Sequence, residues 1–473
     1  MKLKNPPLNI DRDDPFKEDK LGRDKNIEAL TQLLTSSEDS FVLAVNSPWG
    51  GGKTTFIKMW IQYLKNRGFP VIYFNAWEND FTDNALVSLM GEIGKGIEEI
   101  DISKEKNKLV KKSFKKAKKI GSNLIKLSVP LALKAATLGI LDIKNEDVEK
   151  TLSDFSEKVA ANSIKEYEES RKTIDNLKKE LKEFAGNISS PERDEESNPL
   201  IIFIDELDRC RPTYAIEILE KVKHIFDVPF IIFVLGVDKE QLGHSIQSVY
   251  GEKFLVEGYL KRFIDITYDL PTPDKGKFLE YLVARFGILN DWKNRKANID
   301  SHGLGYINII LSDIFEHFNY SLRHQEQFIA HLNIIIRTHS AGSYIFIDLL
   351  IFLLVLKNID LNLYKKFINY EFTIEEVLKF TDVFPKDSTR INNFLKIVEI
   401  DLYLALENNM KFIDGIRKKL DEYRSLTQDK DIKKQGEAES FLNLHSHRNF
   451  RYNIDLDLII KKIELLDNLK IGE

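Results

Sequence analysis

Five apolar residues, Phe41-Val-Leu-Ala-Val45, run through Asn46 into Ser47-Pro-Trp-Gly-Gly-Gly-Lys53-Thr54-Thr55. Beyond this loop Phe56, Met59, Trp60 and Leu64 recur at helical spacing as far as Lys65. A buried strand, a loop almost free of side chains and an amphipathic helix in direct succession leave few folds open. Gly50, Gly51 and Gly52 let consecutive backbone N–H groups face one anion, and the helix N-terminus adds partial positive charge. This is the pattern of a phosphate-binding loop, with Trp49, Gly50, Gly51, Gly52, Lys53, Thr54 and Thr55 as candidate nucleotide-binding residues. Lys53 would reach the β- and γ-phosphates, and Thr54 would ligate Mg2+. Ser47 stands where G-x-x-x-x-G-K-S/T has its first glycine; the three glycines before Lys53 offset that departure.

Val71–Phe74, Leu200–Ile204, Phe230–Leu235 and Phe263–Tyr268 are further apolar runs, with helical segments between them. Continuous rather than alternating apolar strands predict a mostly parallel sheet covered on both faces, an α/β fold of three layers. The third strand ends in Asp205-Glu206. Asp205 is placed to hold Mg2+, usually through its water shell, and Glu206 to orient or deprotonate an attacking water. An acidic solvated turn would look the same in isolation. Beside a phosphate-binding loop the pair points to nucleoside triphosphate hydrolysis.

Other candidates are less specific. Asp238, after the fourth strand, could contact the attacking water or γ-phosphate, and serves equally as the N-cap of a helix over Lys239–Tyr250. Arg323, opening a helix after Ser321, could reach the phosphates from a lid. Arg262 could act in trans as an arginine finger. For both arginines the alternative is a surface ion pair. Leu21-Gly22-Arg23 could form one wall of the base pocket, so Gly22 and Arg23 join the nucleotide-binding candidates; a simple turn fits as well.

The chain is expected to divide into a core at 19–271, a helical lid at 272–343 and a C-terminal helical domain at 344–473. Inside the core, 79–198 is too long for one crossover and is expected to be a helical insertion. Its stretch Lys104–Lys126 holds ten lysines against one acid, Glu105. A face neutralised by acidic residues downstream, contact with a nucleic-acid backbone, or contact with a membrane surface would each account for it. Ile164, Tyr167, Ile174, Leu177, Leu181 and Phe184 near three-four spacing predict a helix packed along one seam. The net charge of −5 gives no global attraction to polyanions. One cysteine, Cys210, excludes an internal disulfide and fits a reducing cytosol. Met1–Asp19 has no apolar signal core. Tyr344–Leu356 is too short to span a bilayer and is expected to be a core helix. Lys126, Pro130 and Lys134 break Ile120–Ile143. A cytoplasmic protein with no spanning segment, at most peripheral to the membrane, is the expectation.

Leu21-Gly22-Arg23, Ser47–Phe56, Phe74-Asn-Ala-Trp77, Phe203-Ile-Asp-Glu-Leu-Asp-Arg-Cys210, Gly236-Val-Asp238, Tyr259-Leu-Lys-Arg-Phe263 and Ser321-Leu-Arg323 fall in the order seen in the KAP family of P-loop NTPases, which the chain resembles over about Asp19–Lys365. The resemblance implies the additional-strand catalytic-glutamate fold with a helical lid, and ATP as substrate with Mg2+; the residues alone do not separate ATP from GTP. The family often has Asp where Glu206 stands. Many relatives carry transmembrane helices between the two nucleotide motifs, which this chain lacks in sequence. Kinship further implies an ATP-driven switch or assembly ATPase, a homo-oligomer, protein partners of the same system and a role in phage defence. The alternative is a non-hydrolysing, nucleotide-gated scaffold at a membrane surface or on nucleic acid.

Overall fold

The computed structural model describes residues 10–17, 19, 21–35, 39–82, 84–100, 102–127, 148–189, 198–271, 274–287, 303–338, 344–407, 409–451 and 454–468, omitting the side chains of 126–127 and 148–167 and a few others. They fall into two compact units, Asn9–Thr272 and Pro273–Glu473.

In the first unit α1 (Asp24–Thr35), β1 (Phe41–Asn46), α2 (Lys53–Lys65), β2 (Val71–Asn75), α3 (Ala85–Glu99), α4 (Lys104–Leu127) and α5 (Val148–Ser189) precede β3 (Leu200–Asp205) and a 3-10 turn, Leu207–Arg209. Then follow α6 (Pro212–His224), β4 (Ile231–Val237), α7 (Lys239–Tyr250), α8 (Val256–Leu260) and β5 (Ile266–Asp269). All five strands are parallel, in the order β2-β3-β4-β1-β5. The extra strand β4 therefore separates the loop-bearing β1 from the acid-bearing β3. Every residue of β3 and β4 is buried, as expected of strands covered on both faces.

Alternate side chains sort into the two outer layers. Leu43, Val45, Ile201, Phe203, Ile232 and Val234 pack with α1 and α2. Val42, Ala44, Ile202, Ile204, Phe233 and Leu235 pack with α3, α6 and α7. In register, Asn75 pairs with Asp205, Asp205 with Gly236, and Asn46 with Val237, so the strand ends that carry polar residues form one edge. Gly236 is required there: a Cβ would lie 2.4 Å from Ile57 and 2.5 Å from the Asp205 carboxylate.

The insertion contributes α3, α4 and α5. Leu177, Leu181 and Phe184 of α5 are buried in the same apolar cluster as Val110, Phe114 and Ala117 of α4, with the Phe114 and Phe184 rings 5.1 Å apart. Ile174 is half-buried, while the side chains of Ile164 and Tyr167 lie outside the described residues.

The second unit is helical: α9 (Lys275–Arg285), α10 (Gly303–His317), α11 (Leu322–Thr338), α12 (Ile347–Ile359), α13 (Leu361–Ile368), α14 (Ile374–Phe380), α15 (Thr389–Leu406), α16 (Ile413–Leu426), α17 (Ile432–Arg451) and α18 (Leu456–Asn468). One apolar core runs through it from Leu279 to Ile463. Its centre is α12, buried on all sides from Ile347 to Leu356. Among the described residues no helix is long and apolar enough to cross a membrane.

Asp348 is the one acid in that buried stretch. Burial raises its pKa to about 7, opposed by a hydrogen bond from Tyr306, and its charge bears on the buried Asp401. A carboxyl whose folded pKa lies above its unfolded value contributes stability below the unfolded pKa, and that contribution is lost as pH rises through 7. Asp348→Asn removes the loss. At pH 8 it is expected to stabilise the unit by about 2 kcal/mol, from about 1.4 kcal/mol per tenfold change in proton affinity less the cost of an unpaired amide. At pH 4 the gain should vanish. Urea unfolding at both values checks this; an equal effect at both would overturn it.

Candidate active site

The loop that leaves β1 is shaped by its own backbone. Gly50 and Gly52 have φ of 79° and 82°, values that only glycine adopts without strain. At Gly51 a Cβ would meet the Ser47 hydroxyl at 2.1 Å and the Pro48 carbonyl at 3.1 Å. Each of the three glycines thus has its own reason, φ for two and space for the third.

Lys53, the first residue of α2, is buried and its Nζ donates to the Ser47 carbonyl at 3.0 Å. Asp208 lies 3.9 Å away. Burial lowers the Lys53 pKa, while Asp208, Asp238 and Asp205 pull it back up. One ammonium therefore faces three carboxylates, a charge balance that leaves room for a further cation or for the lysine to turn to an anion.

Asp205, at the end of β3, is fully buried. Burial raises its pKa; a hydrogen bond from Thr54 and one from the Glu206 backbone N–H, at 2.9 Å, oppose that rise. Tyr73 of β2 donates to its other oxygen at 3.3 Å. Burial, then Asp205, pushes the Tyr73 hydroxyl far up, so it remains a donor. Thr54 and Asp205 are thus adjacent oxygen donors, of the hard type that suits Mg2+.

Glu206 follows in the left-handed region, φ 61°. For a non-glycine residue this is a strained conformation, of the kind found where a site fixes a side chain. Arg209 meets its Oε1 at 3.2 Å and Asn75 donates to its Oε2 at 3.3 Å. Arg209 also lies over the ring of Trp77, 5.6 Å from its centre.

Asp238 does two things. Its Oδ1 caps α7, accepting from Glu240 and Gln241, and its Oδ2 accepts the Trp49 backbone N–H at 3.0 Å. The capping residue therefore also ties the loop to β4. The Trp49 indole N–H donates to Asp208.

Arg23 is buried and its guanidinium donates to the carbonyls of Gly51 at 2.8 Å and Gly52 at 3.1 Å. Burial lowers its pKa to about 10, still charged at neutral pH. Arg23 thus braces the loop through two of its carbonyls. Gly22 supplies the turn before it, φ 64°. Arg23→Gln is expected to weaken ATP binding by about 2 kcal/mol through the two lost charge-assisted hydrogen bonds. Titration with a fluorescent ATP analogue measures it; unchanged affinity would count against the bracing role.

Arg262 is exposed in the turn joining α8 to β5, its charge bearing on Tyr259. Arg323 is exposed on the first turn of α11, in the helical unit. Sequence reasoning missed Asp208, Asn75, Tyr73 and Arg209. Asp208 had a signal: three residues past Asp205, a single tight turn returns it to the strand end. Its Oδ1 is buried with no hydrogen-bond partner among the described residues.

A model of the KAP family P-loop domain matches residues 23–339 of the 473. The chain belongs to the KAP family of P-loop NTPases. The Phage T7 exclusion protein of Escherichia coli K12 is 26% identical over 118 residues. That match covers 24% of this chain and only 15% of the relative. Among solved structures, the Aeropyrum pernix ORC2 protein in its ADP form aligns over 83% of this chain and 86% of its own, at 13% identity and a TM-score of 0.32.

Proposed function

We propose that this KAP protein binds and hydrolyses ATP with Mg2+, using the nucleotide state as a conformational or assembly switch. The observation that carries the reading is the meeting, at one sheet edge, of the glycine loop with Lys53 and Thr54, the buried Asp205 hydrogen-bonded to Thr54, and Glu206 on the next residue. Mg2+ would neutralise phosphate charge as the terminal phosphoryl group leaves. Thr54 and Asp205 would hold it. The N–H groups from Gly50 to Thr55 and the Lys53 ammonium would bind the phosphates, with Trp49, Gly22 and Arg23 fixing the loop. Glu206 would take the proton of the attacking water, and Asp238 would orient the same region from β4. Arg323 from the helical unit and Arg262 from a second copy in a homo-oligomer are the candidates for stabilising developing charge.

One observation favours a second reading. Both Glu206 oxygens are engaged, by Arg209 and by Asn75, as suits a scaffold that binds nucleotide without hydrolysing it. Phosphate release by the purified protein separates the two: release with Mg2+ and ATP, abolished by EDTA, supports hydrolysis, whereas ATP binding without release supports the scaffold. Lys53→Ala should lose ATP binding under either reading. The similarity to a phage exclusion protein supports a part in phage defence, with partners of the same system, in the cytoplasm. A plaque assay comparing the wild type with Lys53→Ala tests that role.

A further inference from the structure

The insertion helix α4 carries far more charge than its surroundings neutralise. It holds nine lysines more than acids, whereas its packing partner α5 carries nine acids and eight bases. Among α4 lysines, Lys116 pairs with Glu180 at 3.5 Å and Glu183 at 3.2 Å. Lys104, Lys108, Lys111, Lys115, Lys118 and Lys119 are exposed and have no carboxylate partner among the described residues. At about 100° per residue these six project within an arc of about 100° and extend about 22 Å along the helix. The apolar residues Val110, Phe114 and Ala117 point away from that arc into the core shared with α3 and α5. Of these seven lysines, Lys116 is the one with a carboxylate partner among the described residues.

The shape of the stripe separates the polyanions it could meet. A helix that reads or tracks duplex DNA enters a major groove about 12 Å wide, roughly its own diameter, and meets phosphates on both flanks. The six lysines of α4 lie within one arc, so their ammonium groups face one way and do not reach both flanks of such a groove. The stripe contains lysines only, which act as point charges, and no arginine fork suited to bidentate phosphate or base contact. The adjacent exposed apolar residue is Leu109, 58% accessible, an aliphatic side chain rather than a ring for stacking on bases. A straight, one-sided row of ammonium groups matches a flat anionic surface. We infer that this face of α4 docks on a lipid bilayer rich in anionic headgroups, and so brings the NTPase to the membrane surface.

The test uses the full chain and phosphatidylcholine vesicles with or without phosphatidylserine, followed by sedimentation. Binding should require phosphatidylserine and fall steeply with added salt. Each lysine near an anionic surface multiplies partitioning about fivefold, so K111Q/K115Q/K118Q should lower it about a hundredfold. The charge-keeping K111R/K115R/K118R should bind as the wild type does, as should K430Q/K433Q/K434Q, at exposed positions of the helical unit. Circular dichroism shows whether the variants keep their helix content. Should the glutamine variant not fold, the arginine variant, the salt dependence and the lipid dependence still decide. Absence of binding to phosphatidylserine vesicles, binding independent of that lipid, or undiminished binding by a folded K111Q/K115Q/K118Q protein would each overturn the inference. So would a duplex-DNA gel shift that is lost in that variant while vesicles remain unbound, which would give the stripe to nucleic acid.

Discussion

Glu206→Gln is expected to reduce phosphate release from ATP by about 10²–10⁴-fold, the usual contribution of a positioned general base, while ATP binding is retained. The two variants of this strand end and loop separate cleanly in physical terms. Glutamine keeps the size of the side chain and an oxygen that can accept from Arg209, but it carries no charge and cannot take a proton. Nothing in the loop depends on it: Lys53 is held by the Ser47 carbonyl, and the glycine carbonyls by Arg23. Lys53→Ala, by contrast, removes the ammonium proposed to bind the phosphates and should abolish binding itself. Phosphate release measured beside equilibrium binding of a fluorescent ATP analogue gives both numbers for each variant. Wild-type turnover by the Glu206→Gln protein would remove Glu206 from the mechanism.

That Glu206 could be picked from sequence at all rests on how strand ends are written. A run such as Leu200–Ile204 can be only a buried strand, and the first charged residues after it must lie at its carboxyl edge. The same logic applies to Asp238, which directly follows the run of β4, whereas Lys53 and Thr54 are marked by the glycines between β1 and α2. What the pattern hides is lateral. Asn75 ends β2, and only the strand order places it beside Asp205 and Glu206. Tyr73 reads as one more strand residue until β2 is known to border β3. For Arg23 sequence shows only that it precedes the loop; its hydrogen bonds to the Gly51 and Gly52 carbonyls are visible only in the fold. The insertion shows the same division. Leu177, Leu181 and Phe184 announced their helix and its seam, but which lysines of α4 remain unpaired depends on where α5 places Glu180 and Glu183.

The helical unit holds a feature that no periodicity reveals and whose disruption should be costly. Arg448 of α17 is buried and donates through Nε at 2.9 Å and a terminal nitrogen at 2.6 Å to a single oxygen of Asp401 on α15. Asp401 itself is fully buried, and its second oxygen has no partner. Arg448→Met keeps an unbranched stem of similar reach but leaves that carboxyl uncompensated in an apolar core. The expected cost is about 3–5 kcal/mol of stability, the range for removing one partner of a buried pair. Adding Asp401→Leu should restore most of it, because two apolar groups of suitable volume can match or exceed a buried ion pair whose desolvation is incompletely repaid. Urea unfolding of the two single variants and the double variant closes the cycle. A loss below about 1 kcal/mol in Arg448→Met would mean that the pair is hydrated in solution, and failure of the double variant to recover would locate the cost in packing around α17 rather than in the stranded charge.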